Sequence, residues 1–479
     1  MNKFKVLLVL LIIILLIILV VKSSGSTKDD QEPLLDETYK SFENLGKWKD
    51  TSFCYPEIDS VVNLKGYKNA FVFPGGGIRG VIQATVLREI QNDIGTDNPL
   101  ENHIALAGGT STGALIATVL ATDVEINFEK LVEVLRDENE SGVVHYIDPI
   151  ANLDPIKLET KSDVIYRLYE LFGGIIFQPI ALYDIKEPLS TVKRGAIKVI
   201  NALTNATYIS TKYTDKNIST ILKHLLGNKT LNETNKPLVI NGFDIDSAKG
   251  VLFRSYSLTE TDSDGNRIKV PNSEYEVIKN SDEFTFVGSA DRTLLWEAVR
   301  ASTAAPTYFP TQHVHILDDD LKPNTSHETI DGGMFDNNIT DMTAFELLKL
   351  YPDNNYLIVT IGNGSYTNDS NFTSNYSDSN TNIISYLKEI IYGTDKNILY
   401  KTNYTMKNLV DEYNSIATKL GKGKMYWINI NFDGRYLNGF SSMDNAKYAH
   451  IKELQRFGKV LYKDLDSKIK STLLSALSM

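Results

Sequence analysis

Gly109-Thr110-Ser111-Thr112-Gly113 places a serine between two glycines, each two positions away. The apolar run Ile104 to Ala107 precedes it, and a helical run of small and apolar residues starts at Thr112. Together they read as a strand-to-helix elbow that lifts a hydroxyl off the backbone at a sheet edge. The glycines are needed because the sharp turn brings chain against chain and leaves no room for Cβ atoms. Free N–H groups and the positive dipole end at the start of the following helix favour an oxyanion beside Ser111. Taken alone, the same pattern is also an ordinary strand–glycine–helix connection with a buried serine.

A second glycine cluster stands upstream, in Pro74-Gly75-Gly76-Gly77-Ile78-Arg79-Gly80. The strand Asn69 to Phe73 leads into it, and a helix with Val81, Ala84, Val86, Leu87 and Ile90 on one stripe leads out. Strand, Gly-x-Gly-x-x-Gly and helix also make a dinucleotide-binding fingerprint, which wants an acidic residue at the end of a second strand about 20 positions on. Here that region, Asn92 to Asp97, is a helix tail and loop, and the next strand ends in the serine elbow. The other reading is that N–H groups around Gly76 and Gly77 point inward as an oxyanion hole, among the strongest aids to acyl transfer. Arg79 either braces this loop or is a surface cation. Much later, Glu328 to Asp331 reads as a strand that puts an aspartate before Gly332-Gly333, a pairing that by itself is also a common turn.

Other candidate chemistry is thinner. Glu260 to Gly265 opens like a calcium loop, but loop position 12 falls on Pro271, so a hairpin turn at Asp264-Gly265 accounts for it better. His313 and His315 share a strand face near Asp318 to Asp320 without a fixed third ligand, a weak case for a metal. Cys54 is the single cysteine, which excludes an intrachain disulfide and a cysteine-rich metal site. No lysine or arginine run accompanies the net charge of -11, which argues against nucleic-acid binding.

The elements that would position these residues follow α/β alternation, with further strands at Leu238 to Phe243, Val251 to Ser257, Tyr356 to Gly362 and Met425 to Ile430. Helical patterns cover 127–136, 162–172, 293–301, 342–350, 383–415 and 445–478, and 185–236 reads as mixed helices over one sheet face. Residues 366–382 belong to a low-complexity loop. At the start, two lysines precede sixteen aliphatic residues, Val6 to Val21. Residues 1–22 therefore read as an uncleaved signal anchor, giving a single-pass membrane protein, or a secreted one if the segment is cut. About a dozen Asn-x-Ser/Thr sequons suit a lumenal or exterior face but do not decide the membrane side.

The three glycine-bearing motifs, in this order, resemble those of the patatin-like phospholipase family. Leu182-Tyr183-Asp184, Phe253 to Tyr256, Ala301 to Pro306 and Ile358 to Gly364 look like further blocks of the same family. The resemblance covers roughly 67–365, leaving 23–66 as linker and lead-in and 383–479 as a mainly helical region that completes or flanks the domain. It implies a three-layer α/β/α fold around a mostly parallel sheet. It implies a Ser–Asp dyad, with Ser111 as nucleophile in an elbow flanked by Gly109 and Gly113, and Asp331 as general base in a motif with Gly332 and Gly333. It assigns the oxyanion hole to the Gly75-Gly76-Gly77 loop with Arg79 and Gly80. The implied activity is hydrolysis of phospholipid or other acyl-lipid esters at a membrane, without metal or cofactor. Pro74, which lacks an N–H, and Ile339, where proline is common, depart from the family pattern.

A solvated aspartate is a weak base at pH 7, and burial between sheet and helices would bring its pKa nearer a useful range. The acyl-enzyme could be released to water or to another alcohol, so a transacylase is a further reading. A catalytically idle lipid- or partner-binding scaffold, or a protein with an activating partner, is another. A histidine-dependent esterase would need a late loop histidine, and His450, the only candidate, lies in an apparent helix.

Overall fold

Five strands carry long apolar runs, and these form the centre of a ten-stranded mixed sheet. The computed structural model describes residues 52–134, 158–176, 213–261, 267–270, 284–285, 291–364, 406–417, 421–430 and 448–478, apart from isolated positions within them. In chain order the strands are β1 (Ser52–Tyr55), β2 (Lys68–Phe73), β3 (Ile104–Gly109), β4 (Leu238–Asp244), β5 (Lys249–Arg254), β6 (Leu258–Thr261), β7 (Arg267–Val270), β8 (Phe284–Thr285), β9 (Gln312–Leu317), β10 (Pro323–Asp331), β11 (Tyr356–Ile361) and β12 (Gly423–Ile430). The helices are α1 (Gly80–Ile94), α2 (Thr112–Ala121), α3 (Lys161–Ile176), α4 (Lys216–Leu226), α5 (Leu295–Ser302), α6 (Thr340–Leu350), α7 (Tyr448–Lys463) and α8 (Ser467–Ala476), with residues 406–417 also helical.

The sheet order is β1-β12-β11-β2-β3-β4-β10-β9, with β5 also on β4 and β8 on β5. β12, β11, β2, β3 and β4 run parallel, and β11 is buried at every position, as a strand covered on both faces must be. β1, β5, β9 and β10 join antiparallel, so the sheet is mixed rather than mostly parallel. β6 and β7 pair antiparallel as a separate two-stranded sheet, and the turn expected at Asp264-Gly265 lies outside the described residues.

Alternation along the strands sorts the core. Ala70, Val72, Leu106, Ile358, Met425 and Trp427 pack with Ala344 and Leu347 of α6 and with Met406 and Val410 on one face. α2, which touches β2, β3 and β4, is buried from Gly113 through Ala121, so it is apolar all round. α1 packs against α3 and α7, and ends where Gly95 adopts φ +83° and returns its N–H to Gln91 O.

β1 comes from the stretch read as lead-in, and β12 from the region read as mainly helical; the two pair along Ser52 to Tyr55. The described residues fall within one compact unit, 48–178 and 213–479. The expected transmembrane segment, and with it the membrane localisation, is not supported. No described helix is long and apolar enough to cross a membrane, and residues 1–22 lie outside the described residues. So do Leu182-Tyr183-Asp184, the low-complexity loop and the helical pattern expected over 383–405.

Candidate active site

Two strands far apart in sequence share β4 as a common partner. β3 pairs with its first residues, placing Gly109 opposite Ile240, and β10 pairs with its last, placing Asp331 opposite Gly242. The end of β3 leads into the serine elbow and the end of β10 is the aspartate. The pairing therefore delivers both side chains to one place.

Ser111 holds φ 54° and ψ −123°, a conformation costly for a residue with a side chain. Its surroundings over-determine it. Thr110 N–H donates to Phe73 O at 3.1 Å, and Gly113 N–H returns to Thr110 O at 2.8 Å. A Cβ on Gly109 would lie 2.2 Å from Gly113 O, and one on Gly113 only 1.8 Å from Phe73 O, so both positions require glycine. From α3, the Tyr169 hydroxyl donates to Thr112 O at 2.5 Å. From the end of α5, Ser302 Oγ accepts the Ser111 N–H at 2.9 Å.

The Ser111 hydroxyl donates to Asp331 Oδ2 at 2.6 Å. Asp331 Oδ1 accepts the N–H of Gly333 at 2.7 Å, and the Asp331 N–H donates to Ala304 O at 3.0 Å. A Cβ on Gly332 would meet Asn241 Oδ1 at 2.3 Å, which explains the glycine there. Burial raises the Asp331 carboxyl to about 6, against the opposing hydrogen bonds from Ser111 and Gly333 and the positive charge of Arg300. Arg300 is itself 0% exposed; burial lowers its guanidinium to about 10, with Asp215 and Asp331 acting the other way. Asp331 is thus largely ionised at neutral pH, yet more basic than a solvated carboxylate.

The glycine-rich loop lies against the same serine. A Cβ on Gly75 would stand 3.0 Å from Ser111 Cβ and 2.5 Å from Asn337 Oδ1. The loop's carbonyls are held by side-chain amides. Asn363 Nδ2 donates to Pro74 O at 3.1 Å and Gly75 O at 2.9 Å, Gln83 Nε2 to Pro74 O at 3.1 Å, and Asn337 Nδ2 to Gly75 O at 3.0 Å. The Gly75 N–H is engaged with Asn337 O at 3.0 Å, so it is not a free donor. Gly76 and Gly77 keep their N–H groups without an acceptor among the described residues. Gly77 has φ +58°, and a Cβ on Gly76 would lie 2.1 Å from Asn363 Nδ2. Arg79 is 1% exposed, which excludes the surface-cation reading, and Gly80 leaves room for the Tyr169 ring.

Ser302, Gln83, Asn337, Asn363 and Arg300 escaped the sequence reading as site residues. Ser302 and Asn363 sit inside blocks already singled out, but nothing local says that their side chains reach the elbow and the glycine loop. None of the described histidines bonds to Ser111 or Asp331. His450 is buried on α7, lowered to about 4 by desolvation and the charge of Arg79. His315 Nδ1 lies 2.8 Å from Glu297 Oε1. No group of three His, Cys, Asp or Glu side chains able to hold a metal lies among the described residues.

A serine on a strained strand–helix elbow, bonded to a buried aspartate beside a glycine-rich loop, defines an α/β protein with a candidate acyl-transfer site. Residues 71–344 match the family described as patatin-like phospholipase, and the chain belongs to that family. It is 23% identical over 402 residues to patatin-like protein 1 of Arabidopsis thaliana, covering 80% of this chain and 79% of that one. It is also 20% identical over 407 residues to patatin-like protein 2 of Oryza sativa subsp. indica, covering 81% and 82%. A relative from Solanum tuberosum, 23% identical over 272 residues and covering 56% of this chain and 48% of its own, is named probable inactive patatin-3-Kuras 1. Among solved structures, VipD from Legionella pneumophila aligns with a TM-score of 0.25 at 13% identity, covering 83% of this chain and 67% of that one. Membership supports lipid acyl hydrolase activity at the level of the family.

Proposed function

We propose that this chain is a serine lipid acyl hydrolase of phospholipase A type, with Ser111 as nucleophile and Asp331 as general base. The observation that carries this reading is the 2.6 Å hydrogen bond from Ser111 Oγ to a carboxylate whose pKa burial raises to about 6. As Oγ attacks the ester carbonyl carbon, its proton passes to Asp331 and the carbonyl π electrons move to oxygen. The N–H groups of Gly76 and Gly77 stabilise that oxyanion. Collapse breaks the ester C–O bond, and Asp331 returns its proton to the leaving alcohol. Water then attacks the acyl-enzyme, with Asp331 again taking the proton, and the fatty acid leaves as Ser111 recovers its hydrogen. An alcohol in place of that water makes the same cycle a transacylation.

The test is fatty-acid release from mixed phospholipid vesicles by the full chain, Ser111→Ala and Asp331→Asn, with a chelator present. Activity in the unaltered chain, reduced at least about a thousandfold in both variants, supports the dyad. Equal activity in all three sinks the assignment. Inactivity of the unaltered chain on phospholipid and neutral acyl esters alike favours an idle scaffold of the same fold.

A further inference from the structure

Acyl transfer needs the glycine-rich loop, which ends at Gly80, to be held against the serine elbow, which leads into Thr112. On the sheet side β2 joins them, where the Thr110 N–H donates to Phe73 O at 3.1 Å. On the other side both run into helix starts, since Gly80 is the first residue of α1 and Thr112 the first of α2. Tyr169 of α3 meets both. Its hydroxyl donates to Thr112 O at 2.5 Å, and its ring fills the place that a Cβ on Gly80 would take. We infer that Tyr169 is a positioning residue that pins the oxyanion loop to the nucleophile elbow, an inference that rests on the Ser111 reading above.

The glycine at position 80 is the first ground. Gly80 has φ −53° and ψ −21°, ordinary right-handed helical values. Alanine adopts that conformation readily and is the better helix former, so the backbone gives no reason for glycine. The space does. A Cβ there would lie 2.4 Å from Tyr169 Cε1 and 2.9 Å from both Cζ and the hydroxyl oxygen. Tyr169 is 4% exposed, and its ring cannot swing aside and keep the bond to Thr112. The missing methyl and the hydroxyl bond therefore belong to one contact. Burial pushes the pKa of the phenol up, against the opposing Thr112 contact, so the hydroxyl keeps its proton and stays a donor at neutral pH.

The anchoring of α3 is the second ground. Lys161 Nζ donates to Leu120 O at 3.3 Å and lies 3.3 Å from Asp123 Oδ1, at the far end of α2. Eight residues separate Lys161 from Tyr169, as eight separate Thr112 from Leu120. About 12 Å of each helix thus lies between two ties, and the two helices run antiparallel. α1 is tied as well. Arg88 Nε donates to Asp163 Oδ1 at 3.1 Å, and its guanidinium lies 4.4 Å from the Tyr166 ring centroid. Next to Tyr169, Glu170 bonds Arg167 at 2.8 Å and also Lys452 of α7. A helix tied to three others holds its hydroxyl still. A shift of about 1 Å between Ser111 and the N–H groups of Gly76 and Gly77 would cost rate and leave substrate binding largely intact.

Steady-state kinetics of the full chain on a monomeric ester tests this, beside the rate at which a phosphonate labels Ser111. Tyr169→Phe keeps the ring and removes the hydroxyl; kcat and the labelling rate should fall together by about tenfold, with KM unchanged. Tyr166→Phe, one turn earlier on α3, is the control and should leave both rates as they are. Gly80→Ala should cost at least as much in the unaltered chain but little further in Tyr169→Leu, where the ring it strikes is gone. Deuterium exchange of the amides of residues 111–114, which needs no turnover, should rise in Tyr169→Phe. Unaltered rates and exchange in Tyr169→Phe, equal losses in Tyr166→Phe, or additive effects of Gly80→Ala and Tyr169→Leu overturn the proposal. Turnover that survives Ser111→Ala overturns the dyad reading instead, and exchange then still decides whether Tyr169 holds the elbow.

Discussion

The backbone N–H of Ser111 is held by Ser302 Oγ at 2.9 Å while its side chain donates to Asp331 at 2.6 Å. Two residues beyond Ser302, the Ala304 carbonyl accepts the Asp331 N–H at 3.0 Å. The end of α5 thus holds both partners in register. A chain in which Ser302 becomes alanine leaves a largely buried N–H without its acceptor and loosens a strained elbow. Ser302→Ala should lower kcat about tenfold to a hundredfold with little change in KM, and Ser302→Thr should recover most of it. Steady-state kinetics on a monomeric ester checks this; equal kcat values in all three would remove Ser302 from the site.

Asp331 must be ionised to take a proton. With its pKa raised to about 6, kcat/KM should fall as pH drops through that value. Arg300 lowers this pKa. Arg300→Met should therefore move the acid limb of the profile to higher pH, and an unmoved limb would assign it to another group.

The same shift has a stability consequence of opposite sense. The Asp331 carboxyl is raised from 3.8 on folding, so between that value and about 6 the folded chain holds a proton that the unfolded chain has released. Stability therefore falls as pH rises through this window, by on the order of 2–3 kcal/mol once both states are ionised. Asp331→Asn should abolish hydrolysis yet raise the melting temperature at pH 8 and have little effect near pH 4. Thermal unfolding at the two pH values decides it.

Asn363 donates its amide to two carbonyls of the glycine loop. Asn363→Asp would set carboxylate oxygens against those carbonyls and turn the loop. A loss of about a hundredfold in kcat is expected, of the size seen when one oxyanion donor is lost. An active-site-directed phosphonate should label Ser111 correspondingly more slowly, and an unchanged labelling rate would free the loop from dependence on Asn363.

Gly113→Ala would bring a Cβ to 1.8 Å from Phe73 O, a backbone atom with no freedom to retreat. Loss of the folded chain is expected, read as loss of the cooperative thermal transition. A stable, folded Gly113→Ala protein would show the elbow to be far more plastic than its packing implies.

Much of this arrangement was legible in local pattern. Apolar runs mark β2, β3 and β11 because strands covered on both faces have few polar positions, and glycines mark the elbow because backbone crosses backbone there. Asp331 was legible only as a strand end before two glycines. Its partner is set by β4, which takes β3 on its first residues and β10 on its last and so brings together two side chains 220 positions apart. No periodicity encodes that. Nor does local pattern reveal that Ser302 and Asn363 turn inward, that the Gly75 N–H is occupied, or that Tyr169 meets both Gly80 and Thr112. Such facts belong to tertiary structure, because side-chain bonding and packing depend on which elements neighbour each other in space. The sequence by itself determined the elbow, the glycine loop and the strands that end at them; folding decided which carboxylate, hydroxyl and amides stand around Ser111.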